Sequence, residues 1–263
     1  MNRTHSVLVL AVLNLLGFLG VIVVNWLAVA LPINNKTTGE LSDLYPNLFV
    51  PAGLTFSIWG IIYLLLAIFV VYQLVRAARR EASTALFIDR IGVLFFISCL
   101  ANIGWIFAWH YQKVPLSLLV MLILLGPLIA IYLRLNIGKS RAGRAERYFV
   151  HLPFSIYLGW ITIATIANVT TLLVSINWGR FGLSEQFWAI AVIIVGIAIA
   201  LWVLFSRRDA YYPLVVDWAL LGIVLKRLSV PEVPAQGVVL TAVAGLAIIT
   251  AAVIVQAARR RAY

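Results

Sequence analysis

Residues 50–76 read VPAGLTFSIWGIIYLLLAIFVVYQLVR, and no residue from Ala52 to Val75 is charged. A helix needs about 20 mainly apolar residues to cross roughly 30 Å of hydrocarbon, so this stretch predicts a membrane-spanning helix over 52–75. The same test applied outward finds apolar runs at 7–31, 87–109, 115–134, 149–176, 184–205, 211–225 and 237–257, the seventh in order being the shortest. The composition agrees: 63% of the 263 residues are hydrophobic and only 11% are charged. A soluble domain carries about 25% charged residues. One core could not bury so much apolar surface, so lipid must act as solvent for part of it. The sequence predicts an all-α fold, a polytopic membrane helical bundle of about eight transmembrane helices.

The net charge of +11 raises the question of nucleic acid, and the positions of the charges answer it. With the N-terminus cytoplasmic, one side of the membrane receives Arg3, Arg76, Arg79, Arg80, Arg90, Arg134, Lys139, Arg141, Arg144, Arg147, Arg207, Arg208, Arg259, Arg260 and Arg261. The other receives Lys36, Lys113, Arg180, Lys226 and Arg227. That alternation is the positive-inside rule, which places both termini in the cytoplasm and requires an even number of crossings. The basic excess therefore orients the chain in a plasma (cytoplasmic) membrane and implies no nucleic acid. Ala28-Val29-Ala30 has the look of a signal-peptidase site, but the preceding apolar run is too long for a usual signal h-region. A retained anchor helix is expected. The lone Cys99 lies mid-helix, which excludes an intramolecular disulfide and reads as a buried, inert thiol.

The first loop, PINNKTTGELSDLYPNLFVP over 32–51, mixes turn formers with Leu44, Tyr45, Leu48 and Phe49. It reads equally as a lid that folds back or as a plain surface loop. The basic loops RAARREASTALFIDR and RLNIGKSRAGRAERY contain no glycine-rich phosphate cradle.

Helical positions three, four and seven apart share a face. Phe56, Trp59 and Tyr63 share one on the second span; Asn102, Trp105 and Trp109 on the third; Tyr157, Trp160, Ala164 and Asn168 on the fifth. An unpaired asparagine amide in hydrocarbon costs several kcal/mol, so Asn102 and Asn168 should face protein or a cavity. Tyrosine and tryptophan join a flat apolar surface to one polar handle, which suits a flat, amphipathic ligand. Helix packing accounts for such stripes equally well, and Trp109, Tyr111, Trp178 and Tyr211 fit an interfacial aromatic belt. The candidate ligand-binding residues are Phe56, Trp59, Tyr63, Asn102, Trp105, Tyr157, Trp160 and Asn168.

At these residues the chain resembles the tryptophan-rich sensory protein family (TspO/MBR, the translocator-protein family). That family opens its second helix with Pro-Pro-Gly-Trp-x-Phe-x-x-x-Trp-x-x-x-Tyr. Here Pro51, Gly53, Phe56, Trp59 and Tyr63 fall on a similar frame, one residue shorter after the phenylalanine. Asn102 and Trp105 match the third-helix motif, Trp160 and Asn168 the fifth. Ala52, Leu54 and Ile163 depart from the family pattern. The resemblance covers residues 1–176 and implies a TspO/MBR-like five-helix bundle there, with 177–263 as three additional transmembrane helices. It also implies a pocket opening beneath the first loop, a porphyrin-like ligand or, in some members, a sterol or synthetic ligand, and a homodimer; the ligand class expected of this chain is tetrapyrrole, sterol or isoprenoid.

Asp217, inside YYPLVVDWALLG, is the clearest ionisable group within an apolar run and a possible proton or ion site. Its alternative is a residue reaching water near a helix end or pairing with Arg207 or Arg208. His110 and His151 read as interfacial. No Ser-His-Asp, HExxH or P-loop pattern stands out, and no metal set is legible. The sequence thus points to a TspO-like receptor or carrier for a flat hydrophobic small molecule, its partners the bilayer and that ligand. A proton-coupled transporter using Asp217 and an integral-membrane enzyme on a lipophilic substrate remain open alternatives.

Overall fold

The computed structural model describes residues 3–31, 33–79, 82–230 and 235–259. Arg80, Arg260 and Arg261, counted above in the charge asymmetry, lie outside the described residues, as does Pro32 of the first loop. The described chain is helical, and six helices are long and apolar enough to cross a membrane. The all-α membrane bundle read from the sequence is the fold.

The chain divides into two compact units. The first comprises the chain up to Thr38 together with Trp59–Leu158. It contains α1 (Arg3–Ala30), most of α3 (Ile58–Ala78), α4 (Ala82–Ile91), α5 (Leu94–His110) and α6 (Val114–Arg134). A short α7 (Arg144–Glu146) and a π-turn over Arg147–His151 lead into α8 (Leu152–Ser175), whose first residues complete the unit. Within it, α1 packs on α5 and α4, and α5 on α6.

α1 shows why this packing is specified. Val7, Ala11, Asn14, Phe18, Val21 and Ala28 are buried, whereas Leu8, Val12, Leu16, Leu19, Val23 and Trp26 are exposed. Both sets recur every three or four residues, so each forms one stripe, and both are mainly apolar. The exposed stripe suits acyl chains. The buried one carries the polar Asn14. Gly17 allows α1 to approach α5 closely: a Cβ there would stand 2.9 Å from a Phe96 ring carbon and 3.1 Å from Cys99 Cβ.

The predicted third span, 87–109, is two helices rather than one. Gly92 adopts φ +55° between α4 and α5, a left-handed conformation that glycine enters without steric cost. The apolar helix α5 therefore has 17 residues and is not among the six of spanning length. The predicted seventh span is longer than its apolar run, because α10 continues through Lys226 and Arg227 to Ser229, for 19 residues.

The second unit comprises Gly39–Ile58 and the chain from Gly159 onward. It holds most of α2 (Thr38–Asp43), a 3-10 turn over Gly53–Ser57, the remainder of α8, and α9 (Glu185–Arg207), α10 (Tyr211–Ser229) and α11 (Gln236–Ala258). The last three pack on one another. The loop segment 39–58 is tied to α10 by Ala52 N–H donating to the Gly222 carbonyl, by the Trp218 indole donating to the Thr55 carbonyl, and by a Lys226–Asp43 ion pair, each at 2.9 Å. Of the residues predicted to fold back, Leu48 and Phe49 are buried; Leu44 is exposed and Tyr45 half-buried.

Candidate functional site

In the first unit, five of the predicted residues take up defined places. Trp59 and Tyr63, one turn apart on α3, stack with ring centroids 5.4 Å apart. The Tyr157 ring of α8 meets Trp59 edge-on at 6.1 Å. Asn102 of α5 donates to the Tyr157 hydroxyl at 3.2 Å and accepts from Asn25 of α1 at 2.8 Å. The Tyr63 hydroxyl is buried close by, near enough to Asn102 and Tyr157 to feel both. Asn102 and Tyr157 are buried, while Trp59 and Tyr63 keep part of their surface open. Four helices thus bring two amides, two phenols and an indole to one place.

Trp105 stands one turn along α5, stacked on Trp109 at 5.7 Å, 13° from parallel. The end of α1's connecting segment closes over this pair. The Trp109 indole donates to the Thr38 carbonyl at 3.2 Å, and Asn34 donates to the His110 carbonyl at 3.0 Å. His110, read from sequence as interfacial, is fully buried beside Thr38. His151 is also buried, 3.4 Å from Glu146.

On the opposite side of the amide cluster, Phe69, Phe95 and Phe154 meet edge to face at 4.9–5.7 Å and are fully buried. They come from α3, α5 and α8, the helices that also supply Tyr63, Asn102 and Tyr157. Beyond them Asn14 donates to Gln73 at 3.1 Å. The interior of this unit therefore alternates along its length: stacked indoles, amides with phenols, a phenylalanine floor, then a second amide pair.

Phe56, Trp160 and Asn168 belong to the second unit. There Phe56 meets Trp160 edge-on at 6.1 Å, and Trp160 and Asn168 are buried. Asp217, buried on α10, accepts from Thr250 of α11 at 2.9 Å through one oxygen. Its other oxygen is buried without a hydrogen bond among the described residues.

The second unit also contains a cavity of about 400 Å³ beneath residues 46–49 of the first loop, between the end of α8 and the start of α9. Ligand sites commonly enclose about 300–1,000 Å³. None of the eight predicted residues lines it. Trp178, assigned from sequence to an interfacial belt, does, together with Trp188. Sequence reading also missed Asn25, although the cost argument applied to Asn102 covers any asparagine in the run GVIVVNWLAVA.

Compared with known families, the chain matches the family model described as TSPO-like protein over residues 11–255, a span that includes most of α1 and ends within α11. Neither the curated proteins nor the solved structures provide a match.

Proposed function

Because the chain belongs to the TSPO-like protein family and is an integral membrane protein, we propose that it is a receptor or carrier for a flat hydrophobic small molecule of the tetrapyrrole, sterol or isoprenoid class. The observation that carries this reading is the convergence of Trp59, Tyr63, Asn102 and Tyr157 in the first unit. Partly open indole and phenol faces offer stacking area, worth about 0.5–1.5 kcal/mol per aromatic pair beyond burial. The amide and phenol groups give orientation, since a ligand carbonyl or hydroxyl can exchange with the Asn102–Tyr157 bond. Trp105, stacked on Trp109 beneath the Thr38 segment, serves as the closure of the same space. In this reading the chain sits in a plasma membrane with both termini in the cytoplasm, and the skew of arginine and lysine supports that orientation.

Titration of purified protein in nanodiscs with a porphyrin, a sterol and a polyprenol, following tryptophan emission, tests the reading. Saturable quenching by one class, lost in both Trp59→Leu and Tyr157→Phe, is expected. Equal quenching in wild type and both variants would refute this location.

A second reading rests on Asp217. Asp217 lies in the seventh span predicted from sequence, with one oxygen bound to Thr250 and one without a hydrogen bond among the described residues, and an intramembrane carboxyl is a candidate for a proton path. If it drives coupled transport, substrate flux into proteoliposomes should follow an imposed pH gradient in wild type and lose that dependence in Asp217→Asn. Gradient-dependent flux that survives the substitution removes this reading.

A further inference from the structure

The cavity of the second unit is built unlike the aromatic cluster of the first. Two of its walls are helix faces: Thr170, Leu173 and Val174 share one side of α8, and Trp188, Ala189 and Val192 one side of α9. From Thr170 to Val174 the α8 face runs about 6 Å along its axis, and from Glu185 to Val192 the α9 face about 10 Å. The space is therefore a slot between two helix faces, lined mainly by apolar side chains. Its third wall is fixed. Asn47 accepts from the Phe49 and Val50 amides at 3.0 and 3.1 Å and donates to the Tyr45 carbonyl, which sets Leu48 and Phe49 into the slot.

The mouth has different chemistry. Trp178 and Trp188 meet there edge to face at 5.0 Å. Arg180 and Phe181 hold left-handed backbone conformations, φ +54° and +51°, which side-chain-bearing residues adopt at a cost. The Trp188 indole pins this turn by donating to the Arg180 carbonyl at 3.0 Å. The guanidinium so placed is about half exposed, and the carboxylate it faces, Glu185, stands 3.6 Å away. That exceeds hydrogen-bond length, so the pair is exchangeable. Glu185 opens α9, where the helix dipole stabilises a carboxylate without Arg180. Arg180 is thus the group at the mouth that a ligand anion can take, with a planar fork of donors shaped for carboxylate.

We propose that this slot binds a single-chain fatty carboxylate, its head on Arg180 between the two tryptophans and its chain between α8 and α9. The site is separate from the cluster around Asn102 and stands whether or not that cluster binds a ligand.

The test uses full-length protein in zwitterionic nanodiscs, with α-bromododecanoate as probe, because its bromine sits beside the head and quenches nearby indoles. Saturable quenching is expected. It should vanish in the Trp178→Phe/Trp188→Phe double variant and persist in Trp59→Leu. Affinity should fall about fivefold in Arg180→Gln, the size of one exposed charge pair. The matching bromo-alcohol should bind more weakly and be indifferent to that change. Filling the slot by Ala189→Phe, or from the other helix by Thr170→Phe, should abolish binding. Equal affinity of acid and alcohol, no effect of Arg180→Gln, tighter binding of an alkyl trimethylammonium, or displacement by anionic diacyl lipid would each overturn the proposal.

Discussion

Asn102 joins α1 and α8 to α5 through a single amide, accepting from Asn25 and donating to Tyr157. Replacing it with leucine keeps the volume, leaves the buried Tyr157 hydroxyl without this donor, and leaves the half-buried Asn25 with its bond to the Val21 carbonyl at 2.9 Å. Interhelical hydrogen bonds in membranes contribute about 0.6 kcal/mol, with a maximum near 1.7. Asn102→Leu should therefore cost about 1 kcal/mol, read as a lower midpoint of unfolding in detergent. An unchanged midpoint would mean that Asn25 and Tyr157 find other partners. The residues of this cluster were legible in the sequence because the spacing of Trp59 and Tyr63, or of Asn102 and Trp105, is a local property of one helix. Asn25 was not singled out, since its role depends on which face of α1 turns to α5, and a run apolar on every side does not say so. The slot of the second unit was hidden for a related reason. Residues 46–49 are far in the chain from 170–177 and 185–192, and Trp178 at a helix end reads as an interfacial anchor.

At the scale of elements, the contact of α1 with α5 depends on Gly17. A leucine there would drive a side chain into Phe96 and Cys99, and overpacking of this kind costs about 1–3 kcal/mol. Cys99, the lone cysteine, reports the change directly: it is buried, so a maleimide should react slowly with wild type and faster with Gly17→Leu. Equal rates would show that α1 accommodates the larger side chain without moving. The break at Gly92 was not readable, because a glycine inside an apolar stretch looks the same whether the helix continues or turns. Gly92→Val should be destabilising by about 1–2 kcal/mol, since a β-branched residue at positive φ is strained. A melting midpoint equal to wild type would count against the left-handed turn.

For the whole molecule, hydropathy alone fixed the class, since apolar runs of spanning length leave few other folds. The boundaries were less secure where charges sit near helix ends, as with Lys226 and Arg227 of α10. Orientation is open to a direct measurement. In a Cys99→Ser background, Lys139→Cys should react with an impermeant maleimide only after the cytoplasmic side is exposed, and Phe181→Cys, 81% exposed in the wild-type side chain, should react in intact cells. The reverse pattern would invert the topology.

The three phenylalanines of the first unit bear on traffic. Rings from three separate helices, each wedged against the other two, cannot separate singly. For a guest bound against Tyr63 and Tyr157, as proposed above, these three rings would form the floor of its site. A floor of this kind suits sensing, storing or presenting a guest, whereas passing it onward through the bundle would require α3, α5 and α8 to move apart.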